Sequence, residues 1–493
     1  MNYFSTRNKS LHATASQAIS GGLAPDGGLY VPDTLPQVSM QTLSELCAMR
    51  YQERAVAIMR LFLPEFSEAE LRAFAAAAYG TNFDNPAIAP VRALDGNTSF
   101  LELWHGPTCA FKDMALQMLP HLLTASLKKC GEQRRVCILV ATSGDTGKAA
   151  LEGFADVPDT KIMVFYPQGG VSDVQRLQMV TQTGGNVAVS AVHGNFDDAQ
   201  TGVKQIFGDR ALAARLTEKG WFLSSANSIN WGRLLPQIVY YFSAYCDEVN
   251  AGRIPLGEAI HFVVPTGNFG NILAGWYAKH MGLPVARLIC ASNENNVLTD
   301  FIRTGTYNKN RPFHITASPS MDILVSSNLE RLLCALSGSD AETACYMQQL
   351  RETGSYTVSA ALLGKIQSEF SCGFCDDGQT RAAIGSVYRA HNYLMDTHTA
   401  VAYKVLCSYR AETGDETPAV VVSTASPFKF CDHVLRAIGG NADAPGVKLI
   451  DRLSVQTGMP VPAPLAGLAG RETRFGGCVE KTEMPQAVEQ FLM

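Results

Sequence analysis

The chain has 493 residues, 46% of them hydrophobic and 17% charged, the composition of an ordinary folded protein with room for two or three domains. Its formal charge is −5, from 40 basic and 45 acidic residues without any block of like charge, so neither a nucleic-acid nor a membrane partner is expected. No apolar run is long enough to span a bilayer, and thirteen cysteines lie scattered without a pairing framework, so reduced thiols in a cytoplasmic protein are expected.

The first hundred residues open with no apolar core of the secretory kind. Residues 23–33, LAPDGGLYVPD, are dense in turn formers and read as a rigid connecting loop. Residues 41–74 read as helices, with Leu43, Leu46, Ala55, Ile58, Met59 and Phe62 supplying the apolar faces. A mainly helical N-terminal segment, 1–100, is expected, with no chemistry of its own.

Residues 101–119, LELWHGPTCAFKDMALQML, change the texture. Gly106-Pro107-Thr108 predicts a tight turn, and Phe111, Ala115, Met118 and Leu119 then recur at helical spacing. Lys112 falls in the first turn of that helix, where the dipole disfavours a cation. A crowded amine that loses its proton is a nucleophile. The plain alternative is a surface lysine capped by Asp113.

Beyond it, short apolar runs alternate with helical patterns. The runs are 136–141 (VCILVA), 161–166 (KIMVFY), 186–192 (NVAVSAV), 260–265 (IHFVVP), 285–291 (VARLICA) and 419–423 (AVVVS). Such alternation predicts parallel βαβ units, and hence an α/β fold of two parallel-sheet domains with the active site in the cleft between them. The smaller domain is expected over 101–220 and the larger over 221–493, with 301–387 an insertion of illegible chemistry.

Two loops join a strand to a helix. Residues 141–148, ATSGDTGK, place N–H groups and hydroxyls around an anion; they miss the nucleotide P-loop at Thr142 and Ala149, so a small carboxylate or phosphate suits better. Residues 265–271, PTGNFGN, let the backbone approach an oxyanion, although GxxG falls short of the dinucleotide fingerprint. Each loop could equally be a glycine turn shaped for packing. A third loop, 423–430 (STASPFKF), ends a strand with hydroxyls that either bond a ligand nitrogen or cap the chain. Cys372 and Cys375 form one CxxC without a second pair, a weak zinc signal, and His391 and His398 read as structural or surface residues sooner than as metal ligands; no metal is expected.

A lysine after HGPT, a TSGDTG loop, a GNFGN loop and a late STA loop, in that order, resemble the threonine synthase family of fold-type II pyridoxal-phosphate enzymes, related to tryptophan synthase β and serine dehydratase. LAPDGGLYVP near the start resembles that family's N-terminal signature, so the likeness spans nearly the whole chain. It implies that Lys112 holds pyridoxal 5'-phosphate covalently and moves protons. Gly267, Asn268, Phe269, Gly270 and Asn271 would cradle the cofactor phosphate, and Thr424 would meet the pyridine nitrogen. Ser143, Asp145 and Thr146 would receive the substrate α-carboxylate, although Asp145 stands where relatives often have Asn. Ser228 and Arg233 would read a substrate phosphate. The implied reaction is that of a carbon–oxygen lyase taking O-phospho-L-homoserine and water to L-threonine and phosphate, in a monomer or homodimer. The rivals are a serine or threonine dehydratase, which has no need of Arg233, and a non-catalytic small-molecule sensor, which could dispense with Lys112.

Overall fold

Short apolar runs bounded by turn formers build two sheets, and the computed structural model describes residues 1–493, the Asp197 side chain apart. The smaller sheet runs in the order Cys478–Val479, Val187–Val192, Thr160–Pro167, Arg135–Ala141, Trp221–Ser225, with every pair parallel. Along its fourth strand Val136, Ile138 and Val140 join the main core with Leu151 and Phe154. Cys137 and Leu139 point the other way, into a cluster with Val203, Leu212 and Met484. Both faces are covered, which is why this strand reads as an unbroken apolar run instead of an alternation.

In the larger sheet Phe370–Phe374, Val285–Ser292, Ile260–Pro265, Ala419–Ser423 and Thr98–Glu102 are parallel, and Val91–Ala93 adds an antiparallel edge. The helix Trp231–Asn250 is buried along nearly its whole length and packs on the helices Gly270–His280 and Tyr51–Met59. Its buried residues include Arg233, Gln237 and Glu248, so the core encloses polar as well as apolar side chains of this helix. Among the described residues no helix is long and apolar enough to cross a membrane.

Three expectations need correction. Within 23–33, Tyr30–Pro32 is a strand that pairs antiparallel with Tyr3–Ser5, which in turn pairs with Asn8–Ala13. Strands of three residues hold too few alternations to show a period. The stretch 301–387 is no mere insertion, because Phe370–Phe374 is a strand of the larger sheet. Its sequence, FSCGF, has no β-branched residue to mark it. Finally, the divisions 101–220 and 221–493 do not follow the sheets. Thr98–Glu102 belongs to the larger sheet, Trp221–Ser225 to the smaller, and the tail returns to the smaller sheet through Cys478–Val479 and the helix Met484–Leu492. Strand pairing is non-local, so no local composition marks it.

Candidate active site

The strands Ile260–Pro265, Ala419–Ser423 and Thr98–Glu102 are neighbours, so the loops leaving their carboxyl ends converge. Ala110 bridges Ala425, and the Phe111 N–H donates to the Thr424 carbonyl at 2.8 Å, which sets Lys112 beside Thr424. Asp113 does not cap Lys112. Its carboxylate accepts from the Thr108 N–H at 2.9 Å and the Thr108 hydroxyl at 2.6 Å, closing the turn. A Cβ on Gly106 would lie 2.6 Å from the Asp113 Cβ, so only glycine permits this approach. Lys112 is the N-cap of a short helix, Asp113–Leu116, and the chain bends before the longer helix Leu119–Lys129; the single helix expected is two.

Lys112 is only 8% exposed. Burial lowers its pKa, Asp145 opposes that shift, and the charges of Lys429 and Arg233 push it down further. Its Nζ lies 3.6 Å from Asp145 Oδ2 and donates to Ser320 Oγ at 3.4 Å. Asp145 is itself buried, with Lys429 Nζ at 2.7 Å and Gln175 Nε2 at 2.8 Å from Oδ1. Burial alone would raise its pKa, but Lys429 and then Lys112 hold the carboxyl well below the usual range. Asp145 therefore stands as the counter-charge of two lysines. Its neighbours Ser143 and Thr146 are part-exposed, and the N–H groups of Ser143, Asp145 and Thr146 have no acceptor among the described residues. The Thr142 hydroxyl caps the same loop, accepting from the Gly144 and Gly147 N–H groups at 2.9 Å each.

In the second loop Phe269 takes a left-handed conformation (φ 61°) and is buried against Phe370. That backbone is costly for a non-glycine residue, and here it turns the chain into the helix Gly270–His280. The N–H groups of Asn268, Phe269, Gly270 and Asn271 have no acceptor among the described residues. Asn271 Oδ1 accepts from the hydroxyls of Tyr240 and Tyr241 at 2.7 and 2.8 Å, and its buried Nδ2 has no partner among the described residues. Arg233 is 3% exposed. Its guanidinium donates to the Ala226 carbonyl at 2.5 Å, and its Nε has no partner among the described residues. Among the described residues no carboxylate bears on it, and burial pushes its pKa down to about 10. Ser228 Oγ lies 3.5 Å from Ser327 Oγ.

The HGPT turn carries a pH-sensitive anchor. His105 Nδ1 lies 2.6 Å from Asp84 Oδ1 and Nε2 lies 3.0 Å from Glu102 Oε2. Burial opposes its charge, but the two carboxylates prevail and raise the imidazole to about 9. A folded pKa above the unfolded value stabilises the protein fully below about 6.5, and the contribution is lost as pH rises through the folded value. Urea unfolding of the wild-type chain should therefore show stability falling between pH 6.5 and 9. In His105→Gln that part of the slope should vanish, and parallel pH profiles would refute the assignment.

The sequence missed Lys429, fully buried against Asp145 and donating to the Thr108 carbonyl at 3.0 Å, although its loop had been singled out for hydroxyls. It also missed Ser320, Ser326, Ser327 and Asn328, which lie in the stretch where no chemistry was legible. His391 and His398 do not share a helix: Asn392 takes a left-handed conformation after His391, and His398 opens the next helix, buried. Cys372 and Cys375 face different partners, the Thr299 carbonyl and the Thr380 hydroxyl.

A buried lysine of lowered pKa, a cradle of free N–H groups at a helix start, and the unpartnered Asn271 amide fit pyridoxal phosphate. Comparison with known proteins agrees. Residues 2–79 match the model of the threonine synthase N terminus, 90–364 that of pyridoxal-phosphate dependent enzymes, and 399–492 that of the threonine synthase C-terminal region. Threonine synthase of Pseudomonas aeruginosa is 40% identical, covering 96% of this chain and 95% of that one. The crystal structure of PLP-bound threonine synthase from Brucella melitensis superposes with a TM-score of 0.88 at 38% identity, covering 100% of this chain and 99% of the other. Human threonine synthase-like 1 is 43% identical over 86% of this chain, which spans only 58% of that protein's length.

Proposed function

The chain belongs to the threonine synthase family of pyridoxal-phosphate-dependent enzymes, and from that premise we propose that it converts O-phospho-L-homoserine and water to L-threonine and phosphate. Arg233 carries this reading. A buried guanidinium without a counter-charge is expensive unless an anion completes it. The cofactor phosphate has its own cradle, Gly267 to Asn271 with the Asn271 amide. The second anion is then the phosphate of the substrate, held by the planar fork of Arg233 with Ser228 adding a hydroxyl.

Lys112 is the attachment point of the cofactor and the base at the substrate Cα, since burial lowers its pKa and so favours the neutral amine. When bound, pyridoxal phosphate supplies the electron sink for the charge released there. The Thr424 hydroxyl would meet the pyridine nitrogen without charging it. Ser143 and Thr146 offer free N–H donors to the α-carboxylate, and Asp145 does not repel it because Lys429 already neutralises that charge. Arg233 and Ser228 stabilise the negative charge that grows on the phosphate as its bond to Cγ breaks.

The test is a coupled assay on the purified chain with pyridoxal phosphate and O-phospho-L-homoserine. Phosphate and threonine should appear in equal amounts. Binding of the cofactor without threonine formation would defeat the substrate assignment.

A further inference from the structure

Residues 316–328, TASPSMDILVSSN, contain no regular element beyond one tight helical turn, Pro319–Met321, yet they reach the site at several points. The Ser326 hydroxyl donates to the Gly267 carbonyl at 2.7 Å, and the Asn328 N–H and side-chain amide donate to the Asn268 carbonyl at 3.0 and 3.1 Å. A Cβ on Gly267 would lie 2.8 Å from the Ser320 carbonyl oxygen, so glycine is what lets these backbones meet. Ser320 Oγ then stands 3.4 Å from Lys112 Nζ, across 208 residues of sequence.

Behind Ser320 lies His398, 3% exposed. Its Nε2 accepts the Ser320 N–H at 3.2 Å, and its Nδ1 lies 2.9 Å from Oδ1 of the fully buried Asp396. The carboxylate fixes the ring proton on Nδ1, and this leaves Nε2 as the acceptor that Ser320 requires. Asp396 in turn accepts from the Thr399 hydroxyl, which meets Ser423 Oγ at 3.1 Å; Ser423 accepts the Trp104 indole N–H at 3.0 Å. The chain of buried polar groups is thus anchored at the strand end next to Thr424. Its far end aims at one backbone N–H, that of Ser320.

We propose that Ser320 is a catalytic residue and that the His398–Asp396 pair is the positioning device holding it against Lys112. The hydroxyl accepts one N–H of the lysine amine and so restrains how the amine is turned. It gives the buried amine a polar partner that carries no charge, unlike Asp145, and so does not favour the protonated form as a second carboxylate would. This inference rests on Lys112 being the amine that binds the cofactor.

The experiment uses the full chain with Ser320→Ala, His398→Leu, both together, and His398→Gln. One readout is the rate at which cofactor-free protein captures added pyridoxal phosphate, followed by visible absorbance and confirmed by borohydride reduction onto Lys112. The other is kcat and KM for O-phospho-L-homoserine. Ser320→Ala and His398→Leu should each slow capture and lower kcat about tenfold, with KM changed by less than about threefold. The double variant should be no worse than Ser320→Ala by more than about twofold, because the two side chains act through one group. His398→Gln should recover most of the loss, since its amide oxygen can accept the Ser320 N–H. Capture and kcat of Ser320→Ala within about twofold of wild type, or multiplicative losses in the double variant, would overturn the proposal. A wild-type chain that captures the cofactor on Lys112 but forms no threonine defeats the substrate assignment alone, and the capture rates still decide the role of Ser320.

Discussion

Lys112→Ala should remain folded and form threonine about a thousandfold more slowly or worse, since proton transfer by a positioned side chain alone contributes roughly 10²–10⁴-fold. The fold survives for a specific reason. Asp145 loses one lysine but keeps Lys429 at 2.7 Å, so no buried carboxylate is left unpaired. Pyridoxal phosphate should still bind through the N–H groups of the 267–271 loop, without covalent attachment. Borohydride should fix the cofactor onto the wild-type chain and fix none onto the variant. Lys112→Arg should be equally inactive, because a guanidinium keeps its proton and cannot serve as the nucleophile. Substantial threonine formation by either variant would remove Lys112 from the centre of the mechanism.

Arg233→Met should show opposite effects on turnover and stability. A charge-assisted contact to a phosphate contributes roughly 1.5–3 kcal/mol, so kcat/KM for O-phospho-L-homoserine should fall about ten- to a hundredfold. Any turnover of unphosphorylated serine should fall far less. The thermal midpoint of the protein without substrate should hold or rise, since Met fills similar volume and removes a buried charge that no carboxylate among the described residues balances. An arginine serving only structure would behave the other way round, losing stability and affecting both kinds of substrate alike. A drop of several degrees in the midpoint with equal losses on both substrates would therefore dismiss Arg233 as the phosphate reader.

Much of the scaffold could be read from the residues alone. The strands Ile260–Pro265 and Ala419–Ser423 occupy the positions that their apolar runs predict, and the helix beginning at Asp173 starts where the pattern places it. Such elements are legible because both faces are buried, so local hydrophobicity suffices. The glycine loops were legible for a related reason: a turn that must bring backbone close to another group restricts its own residue types. Thr98–Glu102, TSFLE, went unread although all five residues are buried, because Arg410, which donates to the Thr98 hydroxyl, and Tyr393, which donates to Glu102 Oε1, come from a distant part of the chain.

What the sequence by itself determined, then, is the α/β plan and the loops at the strand ends, with Lys112 singled out among them as the candidate. The tertiary structure decided the electrostatics. Asp145 looked misplaced beside a substrate carboxylate until the fold set Lys429 against it, from a loop nearly three hundred residues away. Arg233 announced a fork for two oxygens in its residue type, but only packing shows that no carboxylate among the described residues answers it. His398 offered only its spacing from His391, and Ser320 nothing at all, until separate chain segments brought them to Lys112. The division has a physical cause. Backbone conformation follows from neighbours in sequence, whereas the charge state of a buried group follows from whatever the fold packs around it, and those partners are distant in the chain.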